Sequence, residues 1–206
     1  MSLPVSSTRL PSDPPRLALM SAEHALATRI RGGDEAAFEE LYLAYYQPLC
    51  SFVFMLTART DLAEELVQDL LCWIWERRAE WSPTDGGMRG YLFRAARNRA
   101  LNYLKRQHVE RRVADTLPAG LAAPGMGRPC SAPDVAAELS DFDDALTHAL
   151  DELSPRCREA CVLHWRHGLT HPEIATAMGV TVKATEALIT RGLKSLRITL
   201  TAFAGS

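Results

Sequence analysis

Residues 118–133 hold four prolines (Pro118, Pro124, Pro129 and Pro133) and three glycines among small side chains. Proline removes a backbone donor and fixes φ, while glycine loses the most conformational freedom on ordering, so neither a helix nor a strand runs easily through such a stretch. The segment reads as a flexible linker. Whatever lies on either side must therefore bury its apolar side chains separately, which predicts two domains in the 206 residues.

The periodicity on both sides is helical. Gly32, Gly33 and Asp34 read as a helix stop followed by an N-cap, after which Phe38, Leu41, Tyr42, Tyr45 and Leu49 recur at spacings of three and four, a buried stripe. Asp61 and Glu64 have capping-box spacing ahead of an apolar face of Leu62, Leu66, Val67, Leu70, Leu71 and Ile74. Glu64, Glu65, Gln68, Asp69 and Glu76 fall on the other side. The run Ser82-Pro83-Thr84-Asp85-Gly86-Gly87 breaks the chain before a long helix expected over about 88–112. Beyond the linker, helical signals resume at Phe142, Leu146, Ala149 and Leu150. Ser154-Pro155 is a further N-cap with proline at the first helical position. Strand-like alternation is missing, so the expected fold is all-α. The first twenty residues are rich in Ser and Pro and offer too little apolar surface to offset ordering entropy. The expected layout is an arm over 1–21, a helical domain over 22–112, a linker over 113–140 and a second helical domain over 141–203.

Charge is distributed unevenly. Residues 88–112 carry eight bases and one acid, for +7, and the rest of the chain sums to −9. Seven acids and no Lys or Arg lie in 132–153. A basic block this dense points to a polyanion partner. No run of about 18 apolar residues exists and the start carries no signal-peptide block, so the protein reads as cytoplasmic, without membrane insertion. Five cysteines without Cys-x-x-Cys spacing argue against a disulfide framework or a structural zinc site. Cys157, Cys161, His164 and His167 offer metal-ligand types one turn apart, but they share an apolar side of a predicted helix, and packing is the simpler reading. No metal, cofactor or small-molecule substrate is expected. The chain shows no nucleophile motif, phosphate loop or His-Glu-x-x-His spacing, so an enzyme is not expected either.

Near the end, Thr170-His171-Pro172-Glu173 has capping-box form and opens a short helix that Gly179 stops. Thr181 then caps a longer helix whose apolar face is read as Val182, Ile189, Leu193 and Leu196, with Lys183, Arg191, Lys194 and Arg197 supplying charge. A short helix, a tight turn and a longer basic helix are the elements of a helix-turn-helix, whose second helix enters a major groove. An ordinary αα-hairpin in a bundle is the alternative.

Three blocks in order resemble the sigma factors of bacterial RNA polymerase. DLAEELVQDLLCWIWE, from Asp61, resembles the core-polymerase-binding helix of region 2.2. RGYLFRAARNRALNYLKR, from Arg89, resembles regions 2.3 and 2.4, which melt and read the −10 element. The stretch from LSPRCREA at Leu153 through Arg197 resembles region 4, which reads the −35 element. Regions 1.1 and 3 are missing, as in the extracytoplasmic-function group of the sigma-70 family. The resemblance implies a non-enzymatic initiation factor with core RNA polymerase, promoter DNA and an anti-sigma factor as partners. It implies that Glu65, Gln68, Asp69, Trp73 and Glu76 dock on polymerase, Trp73 standing where the family usually has a polar residue. It implies −10 contacts from Tyr91, Arg94, Arg97, Asn98, Arg99, Asn102, Lys105 and Arg106. Basic side chains interleaved with aromatics and amides suit a single strand with unstacked bases. It implies −35 contacts from Lys183, Glu186, Ala187, Leu188, Thr190, Arg191 and Lys194, although Leu188, Gly192 and Ala184 depart from the common pattern. The rival reading is a stand-alone helix-turn-helix regulator that binds duplex DNA as a homodimer without polymerase.

Overall fold

The computed structural model describes residues 14–83, 87–114, 149–150 and 152–204, and these contain seven helices and no strand. The first helix, α1 (Pro14–Arg31), begins inside the stretch expected to be a disordered arm. It stops at Gly33, whose φ of 84° lies in the left-handed region that glycine enters without steric penalty. Asp34 then caps α2 (Glu35–Thr57) as expected, its carboxylate accepting the Ala37 amide at 3.0 Å and the Arg29 guanidinium at 2.8 Å. The amide bond first, and Arg29 second, hold that carboxyl below the usual carboxylate range.

The third helix, α3 (Thr60–Glu76), starts earlier than the Asp61 and Glu64 spacing suggested. Its N-cap is Arg59, which makes no side-chain cap, and Asp61 is drawn into an ion pair with that arginine instead of capping. Helix α4 (Gly87–Ala114) closely matches the long basic helix expected over 88–112. Helices α2, α3 and α4 enclose a core of Leu41, Leu49, Phe52, Val53, Val67, Leu70, Leu71, Ile74, Leu92 and Ala96, all buried. Removing each large apolar side chain from water contributes roughly 1.5–3 kcal/mol. Tyr42, assigned to this stripe from its spacing, lies instead at the surface and stacks on Tyr46 at 4.8 Å.

Helices α5 (Pro155–Trp165), α6 (His171–Met178) and α7 (Val182–Ala204) form the second half. Ser154 is the N-cap of α5 with Pro155 at the first position, as the sequence indicates, though no side-chain bond completes the cap. The capping box of Thr170 and Glu173 forms, and Gly179 ends α6 with φ 64°. Thr181 accepts the Ala184 amide at 3.1 Å to start α7. The buried side of α7 is the expected one only at Ile189 and Leu196. Val182 and Leu193 are exposed, whereas Thr185, Leu188, Ile189, Gly192 and Leu196 are buried. The reason is Gly192: a Cβ there would collide with Cys161 Sγ, so α7 turns its backbone, not a leucine, toward α5. Cys157 and Cys161 are correspondingly buried, and burial pushes the Cys161 thiol up to about 12.

The two halves are not apart. Helix α6 packs against α4 as extensively as α3 packs against α2. The linker 113–140 and the resumption at Phe142 and Leu146 fall outside the described residues, except that α4 continues to Ala114.

Candidate nucleic-acid interface

Three surfaces collect the residues singled out from the sequence. The first is the polar side of α3, where Glu65, Gln68, Asp69 and Glu76 are all exposed. Trp73 is half-buried beside them, with the Arg77 and Arg99 guanidinium groups 5.6 and 5.8 Å from its ring, within the reach of cation–π attraction. Trp75 packs on Phe38 at 5.0 Å, under Arg78. Gln68 donates to the Tyr46 hydroxyl at 3.3 Å and so joins this face to the stacked Tyr42 and Tyr46 and to Leu43, which is 73% exposed. Sequence reading missed that aromatic extension because it placed Tyr42 in the core; the pairing of two tyrosines four residues apart was the available signal.

The second surface is on α4. Arg94, Asn98, Asn102 and Arg106 recur every four residues and are exposed, with Lys105 alongside. Side-chain amides that both donate and accept thus stand between guanidinium groups, on the side facing away from the protein. Tyr91 is half-buried, its ring edge-on to Trp81 at 6.2 Å, and burial raises its hydroxyl above the ordinary tyrosine range. Arg99 is partly covered as it reaches over Trp73.

The other side of the same helix has a different fate. Gly90, Phe93 and Arg97, spaced by three and four, face the second half. Phe93 is buried between Phe52 (ring centroids 5.3 Å apart) and His167 (5.0 Å). Arg97 donates through Nε and Nη2 to the two carboxylate oxygens of Glu159 on α5, the side chains being 16% and 7% exposed. Arg89 donates to the His167 carbonyl. His167 is itself buried, its Nε2 has no partner among the described residues, and burial, with Arg166 and Arg89 nearby, lowers its pKa to about 4. At this junction a cavity of about 440 Å³ is lined by Glu23, Tyr45, Arg89, Phe93, Arg166 and His167, among others.

The third surface is on α7. Lys183, Glu186, Ala187, Thr190, Arg191 and Lys194 are exposed on one side of it. Leu188 is not among them: at 7% exposure it packs inward, away from the residues with which it had been expected to contact DNA. Glu186 sits 3.9 Å from His171 Nδ1 on the preceding helix.

Residues 41–109 match the family described as Sigma-70 region 2, and residues 143–196 match the one described as Sigma-70, region 4. Among curated relatives, the ECF RNA polymerase sigma factor SigK of Mycobacterium tuberculosis is 26% identical over 187 residues, 89% of this chain and 95% of the relative. The ECF RNA polymerase sigma factor RpoE of Cereibacter sphaeroides is 27% identical over 167 residues, 80% of this chain and 86% of the relative. Among solved structures, CnrH in complex with the cytosolic domain of CnrY aligns with a TM-score of 0.59 and 22% identity, over 88% of this chain and 98% of that one. The sigma factor RpoE in complex with the anti-sigma factor NepR from Bartonella quintana aligns with a TM-score of 0.55 and 22% identity, over 80% and 96%. At that identity the structural likeness speaks to the fold alone.

Proposed function

The chain belongs to the sigma-70 family, in its extracytoplasmic-function group, and from that premise we propose which of its surfaces carries each step of initiation. As a sigma factor it performs no chemistry of its own; it binds core RNA polymerase and directs it to promoters. The polar side of α3, with Glu65, Gln68, Asp69, Trp73 and Glu76, docks on core polymerase. The exposed stripe of α4 takes the opened −10 strand: Arg94, Arg99, Lys105 and Arg106 neutralise phosphates, and Asn98 and Asn102 hydrogen-bond an extruded base, with Tyr91 at the margin. On α7, Lys183, Arg191 and Lys194 hold the backbone of the −35 duplex, and Glu186, Ala187 and Thr190 address base edges.

The observation that carries this reading is the segregation on α4, where amides and bases share the outward side while the aromatic Phe93 is withdrawn into the core. A partner that masks the two DNA-reading halves together is part of the proposal; the RpoE of Bartonella quintana was captured with an anti-sigma factor. No helix among the described residues is long and apolar enough to cross a membrane, in keeping with action in the cytoplasm beside polymerase.

The full chain mixed with core polymerase should form a stable complex and direct transcription from discrete start sites. Replacing Asp69 with Arg should weaken that complex by roughly 1 kcal/mol or more, because it reverses charge at the docking side. Sequence-specific duplex binding by a homodimer, with no affinity for core enzyme, would instead establish the stand-alone regulator.

A further inference from the structure

The arginines around α3 meet different fates. Arg78 is spent within the fold: its guanidinium donates to the Trp75 carbonyl at 2.8 Å and lies 4.5 Å from the Trp75 ring. Arg59, at the start of the same helix, is held by Asp61. Arg77 and Arg99 are not so engaged. The first is the exposed C-cap of α3, and the second reaches across from α4. Both stand over the one ring of Trp73, at 5.6 and 5.8 Å from its centroid. Although Glu76 and Glu80 flank Arg77 in the chain, neither guanidinium has a carboxylate partner among the described residues.

Two like charges beside one indole repel each other, and the ring face offsets that only in part. A guanidinium over a ring keeps its N–H groups in its own plane, where they can donate to two oxygens of one anion. Restricting the side chain beforehand also lessens the entropy lost when the anion arrives. The ring thus prepares two forked donors for an anionic ligand.

Charge decides which anion. The docking side of α3 presents Glu65, Asp69 and Glu76, all exposed, so the surface that fits it is basic and would repel a pair of arginines. In the other direction the pair runs on into α4. Burial raises the Tyr91 hydroxyl, and among the groups that partly offset this rise are the charges of Arg99 and Arg94, so both guanidinium groups lie near that hydroxyl. Asn102, on the exposed stripe, stands one turn beyond Arg99. We propose that Arg77 and Arg99, held by Trp73, form a binding site for a phosphate of the opened promoter strand beside the amides of α4, and that Trp73 is their positioning residue. Arg77 thereby joins the DNA contacts; no spacing on α4 could reveal it, because it belongs to α3. The site rests on the reading of α4 as the −10 helix and extends that surface across to α3.

The test uses the full chain assembled with core polymerase, binding a fluorescent fork template built on a promoter mapped by its start site, with the −10 segment already single-stranded. Anisotropy reads the affinity between about 50 and 200 mM salt. Arg77→Gln and Arg99→Gln each remove one charge, and each should lower the magnitude of the salt slope by about one. Trp73→Leu keeps an apolar side chain and should weaken binding about 3–10-fold, while Trp73→Phe, which restores a ring face, should recover most of the loss. Adding Arg99→Gln to Trp73→Leu should then cost less than Arg99→Gln alone, since the ring acts through the arginine. Additive losses overturn the positioning role of Trp73. Trp73→Met takes the place of the leucine variant if circular dichroism shows that the latter does not melt cooperatively. Arg94→Gln tells a failed site from a failed reading of α4. A slope that falls with Arg94→Gln but not with Arg77→Gln leaves the reading standing and overturns the site; a slope that moves with neither overturns both. Weaker assembly of Arg77→Gln with core polymerase, at an unchanged slope for DNA, overturns the phosphate site in favour of an acidic surface on the enzyme.

Discussion

Helices α4 and α7 are both basic, both amphipathic and both assigned to DNA, yet their charges are available to different degrees. On α7 the buried side is made by Thr185, Leu188, Ile189, Gly192 and Leu196, and the bases at 183, 191 and 194 stay exposed. On α4 a second half of the protein covers Gly90, Phe93 and Arg97, and one base of the set is spent on Glu159. A basic residue in a DNA-reading segment is therefore not yet a DNA contact; which elements pack on its helix decides that.

The comparison would be sharpened most by the amides of α4. Extruding a base forfeits stacking and pairing, roughly a few kcal/mol, which contacts made only in the open state must restore. Asn98→Ala with Asn102→Ala should lower transcription from duplex promoters more than tenfold and reduce permanganate reactivity of −10 thymines. A pre-melted bubble template should restore most of the activity. Normal opening would move the melting function elsewhere on α4.

The footing of α7 can be broken at Gly192. Alanine is the better helix former by about 1 kcal/mol, but its Cβ would strike Cys161 Sγ, and such overpacking costs about 1–3 kcal/mol. Gly192→Ala should lower the denaturation midpoint and weaken −35 duplex binding together. Gly192→Ala combined with Cys161→Ala should recover much of both, since the second change vacates the space.

The cover over α4 should be sensitive to acid through His167. Its folded pKa of about 4 lies below the ordinary value near 6.5, so between these the unfolded chain binds more protons than the folded one. The stability contributed by the neutral, buried ring is present above about pH 6.5 and lost as pH falls toward 4. After allowance for solvent screening it amounts to on the order of 1–2 kcal/mol. His167→Phe keeps a ring against Phe52 and Phe93, removes the unpartnered nitrogen and should flatten this part of the stability profile in chemical denaturation across pH 7 to 4.

The smallest effects belong to single charges on α7. Arg191→Ala or Lys194→Ala should lower the salt slope of duplex binding by about one for each phosphate left without its cation, and sequence preference should stay as it was. A change of preference would place that residue on a base edge.

Much of this protein was legible in its residues. The stops at Gly33 and Gly179, the caps at Asp34, Thr170 and Thr181, and the apolar face of α3 follow from local rules, because the atoms that satisfy a helix end lie within a few residues of it. The ordered resemblance of three blocks also identified the family, and with it the class of function. What local rules could not supply was which of two nearly equivalent sides a helix turns inward. Leu188 and Leu193 are equally apolar, and only the approach of Gly192 to Cys161 buries the first and exposes the second. Arg97 is indistinguishable by type from Arg94, and only a glutamate 62 residues further along, brought across by α5, sets it apart. Such pairings depend on the meeting of distant elements, whose strength comes from shape and desolvation at the seam; sequence periodicity carries no record of either.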